Sequence, residues 1–552
     1  MNKGETISIK VTGNVIGEID HRLFGQFLEK ASFGEPGPEN ALDSTKRRLR
    51  PEVEEIIREM KIPVIRFPGG TDIDYSDWRD MIDHVPAREV VRPEISETKR
   101  GQITNHYGYD EFLRFAEELG TEDILVLNFR AALSKAQPLR EAALLAAGLV
   151  AYCNSPVGSI LPEGMPDWPS VRAKNGHPEP YGVHYFQIGN EIWGFLKEAL
   201  QEAGFTGIEE QAEWFLQCLN TYIDTIREVD PSVEIITDGE LYELSDRVLL
   251  DSSLKGRIQY VNYHSYSPWE ISGILKNGEE HPFDKLTREE EWYAWVTLPF
   301  INEDGRAAFS KDFLQQIERR IKHGQGWNVS MTEWNWNGWY TGREFKAWQD
   351  NNLAKGLGAS VYLHALMREG STFKIAAQSN LIGWNWGIGA VRVDPDGKIP
   401  PYCLPTGQVT EFYSKHHGSK LMEIREGNIP YYSQPLQMGK VDDAIIHAIR
   451  PVDKVAMVDA LVTKGEEALY LHAVNRNYSE PYILTLDISG LEFEGERAIH
   501  HLLEGKMDSQ PVEDGTFRTA WFTCEECSKP EKGILTVTLP ERSISIVEIR
   551  KI

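Results

Sequence analysis

His184-Tyr185-Phe186-Gln187-Ile188-Gly189-Asn190-Glu191 and Val329-Ser330-Met331-Thr332-Glu333-Trp334-Asn335 share one design: a short strand-like run that delivers a glutamate at its end. A carboxylate at the end of a buried strand is costly to place, and two placed alike are seldom structural. Working outward, strand-like runs at 21–28, 64–68, 123–129, 184–191, 234–238, 260–266, 329–334 and 375–382 alternate with amphipathic helical runs. Pro51 opens one helix, with a stripe of Val53, Ile56, Ile57 and Met60, and Phe112, Leu113, Phe115, Ala116 and Leu119 form another. Further helical runs cover 139–153, 210–229, 312–323 and 353–367. Eight strand–helix units within about 400 residues predict an α/β chain with a (β/α)8 TIM barrel. A doubly wound open sheet is the alternative, but Phe24-Gly25-Gln26-Phe27 is not the glycine-rich phosphate loop such a sheet usually carries. On a barrel, both glutamates fall at the C-terminal ends of strands, the fourth and the seventh, where barrel catalysis takes place.

After Gly418 the texture changes to short alternating runs, such as Leu469-Tyr470-Leu471-His472-Ala473-Val474 and Ile534-Leu535-Thr536-Val537-Thr538-Leu539, separated by Gly, Pro, Asn and Asp. That is the pattern of an all-β sandwich. The early strand Ile7-Ser8-Ile9-Lys10-Val11 precedes the barrel and is expected to join the sandwich. The expected division is therefore 1–18 as sandwich strand, 19–418 as barrel and 419–552 as C-terminal β-sandwich. The long segment 267–310, with Trp269, Trp292, Tyr293 and Trp295, lies between strands six and seven, as a lid over the barrel mouth or a surface excursion. Its Arg288-Glu289-Glu290-Glu291 run reads as a solvated helix turn.

Asp plus Glu outnumber Lys plus Arg by 84 to 58, a formal charge of −26. So acidic a surface disfavours nucleic acid and anionic membranes and suits a neutral partner. No apolar leader precedes the first strand and no run of about 18 apolar residues occurs, so the expected location is the cytoplasm. Five cysteines argue against a disulfide scaffold. Cys524-Glu525-Glu526-Cys527 lacks a second ligand pair at zinc-site spacing and reads as a surface turn with free thiols. Neither a metal nor an organic cofactor is expected.

Two carboxylates facing each other across a sugar ring are the minimum equipment for hydrolysing a glycosidic bond, and Glu191 and Glu333 are the catalytic candidates. Other polar side chains fall at strand ends where a sugar pocket would want them. Glu29 ends the first run, and Arg66 lies on the second, where a buried guanidinium needs a carboxylate. Asn190 precedes Glu191; His264 and Tyr266 share a face of the sixth run; Gln378 and Asn380 share one on the eighth. Taken singly, a His or Gln of this kind is more often a satisfied core group than a ligand.

On these motifs the chain resembles glycoside hydrolase family 51, the α-L-arabinofuranosidase family of the clan of retaining (β/α)8 glycosidases. The matching stretches are Phe24–Glu29 (24–29), Arg66-Phe67-Pro68-Gly69-Gly70, Ile188 to Trp193, Glu333-Trp334-Asn335, Ala377 to Asn380 and the closing Leu539-Pro540-Glu541-Arg542-Ser543-Ile544-Ser545-Ile546-Val547. The resemblance implies Glu191 as acid/base and Glu333 as nucleophile, with Arg66 and Tyr266 contacting the nucleophile. It implies that Glu29, Asn190 and Gln378 hold sugar hydroxyls, with Trp193, Trp334, Trp336 and Trp339 available for stacking. It also implies an oligosaccharide or polysaccharide substrate and a homo-oligomer such as a hexamer. The family usually has Asn after its Pro-Gly-Gly turn, where this chain has Thr71-Asp72-Ile73-Asp74. The stretch from Trp78 to Asn105 matches poorly, and 267–310 is longer than the family pattern. An exo-acting α-L-arabinofuranosidase is the leading expectation. An endo- or exo-β-glycanase of the same clan and a catalytically silent sugar-binding barrel are the alternatives.

Overall fold

Inward-facing residues recur every second position along a barrel strand, and here they change character in one step of two. Val64, Ile124, Tyr185, Ile236, Tyr260 and Ile375 come from six different strands and form an apolar cluster that plugs the barrel. Two residues further along four of those strands stand buried Arg66, Gln187, Asp238 and Asn262. The barrel is therefore dry at one end and polar at the other, and the polar end is the C-terminal face of the strands.

The structure, a computed structural model, describes residues 6–30, 34–98, 101–266, 272–296, 301–336, 351–441, 444–449, 451–493, 495–512 and 515–551. Eight parallel strands close the barrel: Gly25–Phe27, Val64–Phe67, Glu122–Leu127, Tyr185–Ile188, Glu234–Asp238, Tyr260–Tyr266, Asn328–Asn335 and Phe373–Ser379. Helices Pro51–Glu59, Tyr109–Leu119, Leu139–Asn154, Ile208–Val229, Ser245–Leu249, Lys311–Arg320, Leu353–Arg368 and Pro405–Lys415 follow them in turn. The first strand is shorter than its apolar run suggests, because Asp20 caps a 3-10 turn over His21–Phe24 by accepting from the Arg22 N–H. The expected helix at 312–323 spans Lys311–Arg320 and ends in a single π turn, Ile321–Gln325.

The C-terminal β region is built on one continuous nine-stranded sheet, beside which Leu436–Val441 and Ala444–Ile449 belong to a four-stranded sheet and Tyr431–Gln434 pairs with Val452–Ala456. Strand Ile7–Glu18 sits inside the nine-stranded sheet, antiparallel to Lys420–Gly427 and parallel to Tyr482–Asp487. Leu484 and Val537, from one end of the strand order, share a core with Ala498 and Ile549 from the other. The sheet therefore folds over on itself, and Ile7, Ile9 and Val11 lie in that core.

The described part of 267–310 packs against this sheet region rather than standing free. Its hairpin, Gly273–Lys276 and Glu279–Pro282, pairs with Leu436–Val441. Its helix, Arg288–Trp295, buries Trp292, whose indole N–H donates to the Arg476 carbonyl at 2.8 Å, and sets Tyr293 against Tyr432. Glu291, expected in a solvated turn, is instead buried and ion-paired with Arg288, because that face of the helix is covered. Trp269 lies outside the described residues. Cys524 and Cys527 also depart from expectation: they belong to strand Phe517–Cys527, not to a turn. Three apart on a strand, they face opposite sides of the sheet.

Residues 7–18 bridge two parts of the sheet that no other strand joins. Burial of Ile7, Ile9 and Val11 is worth about 1.5–3 kcal/mol each. A chain lacking residues 1–18 is expected to aggregate or to lose at least about 10 °C of Tm, as read by differential scanning fluorimetry.

Candidate functional site

Arg66 projects from the second strand with no solvent exposure. Its guanidinium donates to Gln187 Oε1 at 3.0 Å, to Glu333 Oε1 at 2.8 Å and to Asn190 Oδ1, and it lies over the Phe27 ring at 4.6 Å. One side chain thus ties strands one, two, four and seven together beneath the mouth. The Thr332 hydroxyl lies 2.7 Å from Asn262 Oδ1 and 3.0 Å from Gln187 Oε1, with one proton to give between them, and the Asn262 amide donates to Asp238. This polar floor supports the two glutamates.

Glu333 reaches the mouth through an irregularity. Asn262 pairs with Ser330 but His264 pairs with Glu333, so the seventh strand gains one residue against the sixth; the same extra residue appears against the eighth. A bulge lets consecutive side chains face the same way. Thr332 and Glu333 both point inward, as their partners show. Glu333 Oε2 accepts from the Tyr266 hydroxyl at 2.8 Å, so each of its oxygens has a donor. Burial pushes this carboxyl up, but the His264 and Arg66 charges and the Tyr266 and Arg66 hydrogen bonds outweigh it, and the net pKa lies below the ordinary glutamate value.

Glu191 is held by its backbone. It adopts a left-handed conformation, φ 46°, directly after the fourth strand. Two buried carboxylates clamp the peptides on either side: the Asn190 N–H donates to Asp74 at 2.8 Å and the Ile192 N–H to Asp238 at 2.7 Å. Asp74 also accepts from the N–H groups of Phe129 and Arg130, at 2.7 and 3.3 Å. Burial pushes Asp74 up to about 7 despite these three bonds. Asp238 is likewise raised by burial, against the pull of His264 and its hydrogen bonds.

His264 stands between the glutamates, with Nδ1 3.1 Å from Glu191 Oε1 and 3.6 Å from Glu333 Oε2, and Nε2 3.1 Å from the Thr332 hydroxyl. Burial pulls its pKa down, yet Glu333 and Glu191 together raise it above the ordinary value. The donor atoms of Glu191, His264 and Glu333 lie within 4.8 Å of one another. That spacing would admit a metal ion, but both Glu333 oxygens are already engaged and the Arg66 guanidinium beside them disfavours a second cation. Glu29 joins the cluster electrostatically: burial first, then the charge of Glu333, raise its carboxyl well above the ordinary range. Gly70, at φ 69°, makes room for it, since a Cβ there would lie 1.9 Å from Glu29 Oε1.

Of the residues named from the sequence, Glu29, Arg66, Asn190, Glu191, His264, Tyr266 and Glu333 converge. Trp193, just past Glu191, is 38% exposed and free to meet a ligand. Gln378 and Trp336 do not converge. Gln378 is buried and bonds Gln26, Asn335 and Thr410; the last is on the eighth helix, outside the barrel. Trp336 is buried against helix Leu353–Arg368, where a Cβ on Gly358 would lie 2.5 Å from its ring. Trp334 stacks on Tyr362 of that helix, and Trp339 lies outside the described residues. Sequence reasoning missed Asp74 and Asp238 as supports. Asp238 carries the same signal as Glu191, an acid ending a barrel strand; Asp74 sits on the 3-10 turn Thr71–Tyr75 and gives none.

Residues 56–285 match the alpha-L-arabinofuranosidase 1 domain. A probable alpha-L-arabinofuranosidase C of Aspergillus fumigatus is 33% identical over 247 residues, 44% of this chain and 43% of the relative, so the match spans under half of that protein. An intracellular exo-alpha-(1->5)-L-arabinofuranosidase of Halalkalibacterium halodurans is 22% identical over 97% of both chains. The solved structure of a thermostable GH51 alpha-L-arabinofuranosidase from Thermotoga petrophila superimposes with a TM-score of 0.69, covering 99% of this chain and all of the other at 20% identity.

Asp74→Ala leaves three backbone N–H groups without their acceptor, at about 1–3 kcal/mol each. A fall in the urea midpoint equivalent to about 3 kcal/mol or more is expected. A carboxyl raised to about 7 in the folded state stabilises below the ordinary aspartate pKa of about 4, and that contribution is lost as pH rises through 7. The difference between wild type and Asp74→Ala should therefore shrink from pH 4 to pH 8; a deficit that grows over this range would contradict the account.

Proposed function

We propose that the chain is a member of glycoside hydrolase family 51 and a retaining, exo-acting α-L-arabinofuranosidase that releases arabinofuranose from arabinose-bearing oligo- or polysaccharides, a reading supported by the matched domain and the similar arabinofuranosidases. The observation that carries the mechanism is the approach of carboxylate oxygens of Glu191 and Glu333 to within 4.8 Å. Retaining enzymes hold their pair about 5–5.5 Å apart, whereas inverting ones leave room for a water at about 6.5–9.5 Å.

Environment assigns the roles. Glu333, 7% exposed and accepting from Arg66 and Tyr266, is the ionised nucleophile. Glu191, 24% exposed and facing the entrance, is the acid and then the base. In the first step a Glu333 oxygen bonds to the anomeric carbon as the bond to the leaving oxygen breaks, and Glu191 gives that oxygen its proton. In the second, Glu191 takes a proton from water, the water oxygen bonds to the same carbon and Glu333 leaves as carboxylate. His264 supports both steps by holding the two carboxylates in register. Glu29, whose carboxyl burial and the Glu333 charge raise above the ordinary range, and Asn190 are placed to bind sugar hydroxyls, and Trp193 to meet the leaving group.

The proposal divides the chain at 18/19 and 418/419, in keeping with the strand pairing of Ile7–Glu18. It further holds that the protein is a cytoplasmic homo-oligomer that binds neither nucleic acid nor membrane. The charge of −26 supports the part of this that concerns nucleic acid and anionic membranes; among the described residues no helix is long and apolar enough to cross a membrane.

Glu333→Ala is expected to abolish turnover of 4-nitrophenyl α-L-arabinofuranoside, and near-wild-type hydrolysis by it would end the assignment. Glu191→Ala should lose about 10²–10⁴-fold on oligosaccharides while sparing the first step with the activated nitrophenyl leaving group. Activity confined to nitrophenyl β-xyloside or β-glucoside would move the substrate to the β-glycanases. Tyr266→Phe removes a bond that favours ionised Glu333, so the nucleophile's pKa rises and the acidic limb of the kcat/KM profile should move to higher pH.

A further inference from the structure

The cysteine pair near the C-terminus cannot share an ion, but Cys524 has other company. It lies directly across from His501 on the neighbouring strand Arg497–Pro511, with its side chain on the same face and exposed. His501 Nε2 is 2.9 Å from Glu548 Oε2, on strand Ser543–Arg550. His416, the residue that ends helix Pro405–Lys415, brings Nδ1 to 3.8 Å from that same oxygen. The two imidazoles overlap at 3.9 Å and 27°. The three donor atoms lie within 4.8 Å of one another.

A simple ion pair accounts for only part of this. His501 and Glu548 complete each other, whereas His416 is stacked on that pair with its nitrogen beyond hydrogen-bond reach of the oxygen it faces. The second Glu548 oxygen receives Arg550 Nε at 2.6 Å and the Tyr470 hydroxyl at 3.4 Å. These bonds fix the carboxylate with Oε2 turned to the imidazoles, the kind of outer support that metal ligands carry. Ligands about 2.0–2.2 Å from one ion stand about 3–3.5 Å from each other. The observed 2.9 and 3.8 Å bracket that range, so a shift of His416 by under about 1 Å closes the site.

We propose that His416, His501 and Glu548 bind a divalent transition-metal ion of the zinc class, and that the Cys524 thiol, which lies outside their 4.8 Å cluster, turns in as fourth ligand when the ion is bound. Two imidazoles, a carboxylate and a thiolate form a donor set that zinc favours. The ion binds the neutral His501 ring at Nε2, whose proton moves to Nδ1, and the Cys524 thiol releases its proton to solvent. Its role is structural: it ties the end of the last barrel helix to the C-terminal sheet. That helix runs back from the eighth strand, so the site lies at the barrel end opposite Glu191 and Glu333.

The test uses the full chain, stripped with chelator and titrated with zinc chloride by calorimetry, with bound metal counted by mass spectrometry after desalting. One zinc with a Kd of about 1 μM or lower and a raised Tm is expected. His416→Gln and His501→Gln should each weaken binding about tenfold or more and remove the Tm gain, with hydrolysis unchanged. No uptake by the wild type, or uptake and Tm gain that persist in the double variant, overturns the proposal; zinc held only at Glu191, His264 and Glu333 would give the second result. Cobalt substitution reads the site independently of the folding of the histidine variants. The thiolate-to-cobalt absorption should appear in the wild type and vanish in Cys524→Ser, and its absence from the wild type removes Cys524 from the ligand set.

Discussion

A guanidinium with no access to water governs the centre of this protein. Leaving Arg66 unpaired at the barrel's core would cost several kcal/mol, and removing one partner of such a pair typically costs about 3–5 kcal/mol. The strands around it must therefore present acceptors at fixed places: Gln187 and Asn190 from the fourth, Glu333 from the seventh. The same constraint that closes the barrel correctly keeps Glu333 ionised. Together with the His264 charge, and helped by the Tyr266 hydrogen bond, this guanidinium holds a deeply buried carboxylate below its ordinary pKa.

The two carboxylates at the mouth are positioned by different physics. Glu333 is aimed by a bulge, which lets Thr332 support the polar floor while its neighbour faces the pocket. Glu191 is aimed by a backbone conformation that a non-glycine residue adopts only at a cost, held by Asp74 and Asp238 on the peptides at either side. A backbone held from two sides can leave its side chain less enclosed. Glu191 is accordingly the more exposed of the pair, which suits the acid/base role proposed for it.

Away from the mouth, the segment between strands six and seven connects the barrel to the β region. Its hairpin extends a sheet edge at Leu436–Val441 and its helix buries Trp292 against the Arg476 backbone. A second contact is ionic: Asp459 of the sheet receives Arg368 and His364 from the seventh barrel helix, and those partners overcome burial to hold its carboxyl well below the ordinary value. With Ile7–Glu18 threaded inside the nine-stranded sheet that also holds Ser543–Arg550, strands from before and after the barrel meet in one β region.

The barrel, the β region joined by residues 7–11 and the two glutamates were legible in the sequence, because alternation of strand and helix and acids at strand ends are local signals. Arg66, Tyr266 and His264 were legible for the same reason: strand period two fixes which side chains share the interior. What the sequence could not decide depends on partners far along the chain. Thr332 and Glu333 both face inward because of a bulge that appears only when neighbouring strands set the register. Gln378, alike in sequence to a pocket residue, is drawn to Thr410 on the eighth helix, and Trp336 is spent packing on Gly358. Asp74 supports Glu191 from 117 positions away, through a backbone N–H that no residue pattern marks. The sequence by itself thus determined the fold and the candidate glutamate pair, whose signals are short-range. Tertiary structure alone decided what holds that pair in place, since burial and hydrogen bonding between distant strands exist only once the barrel is closed.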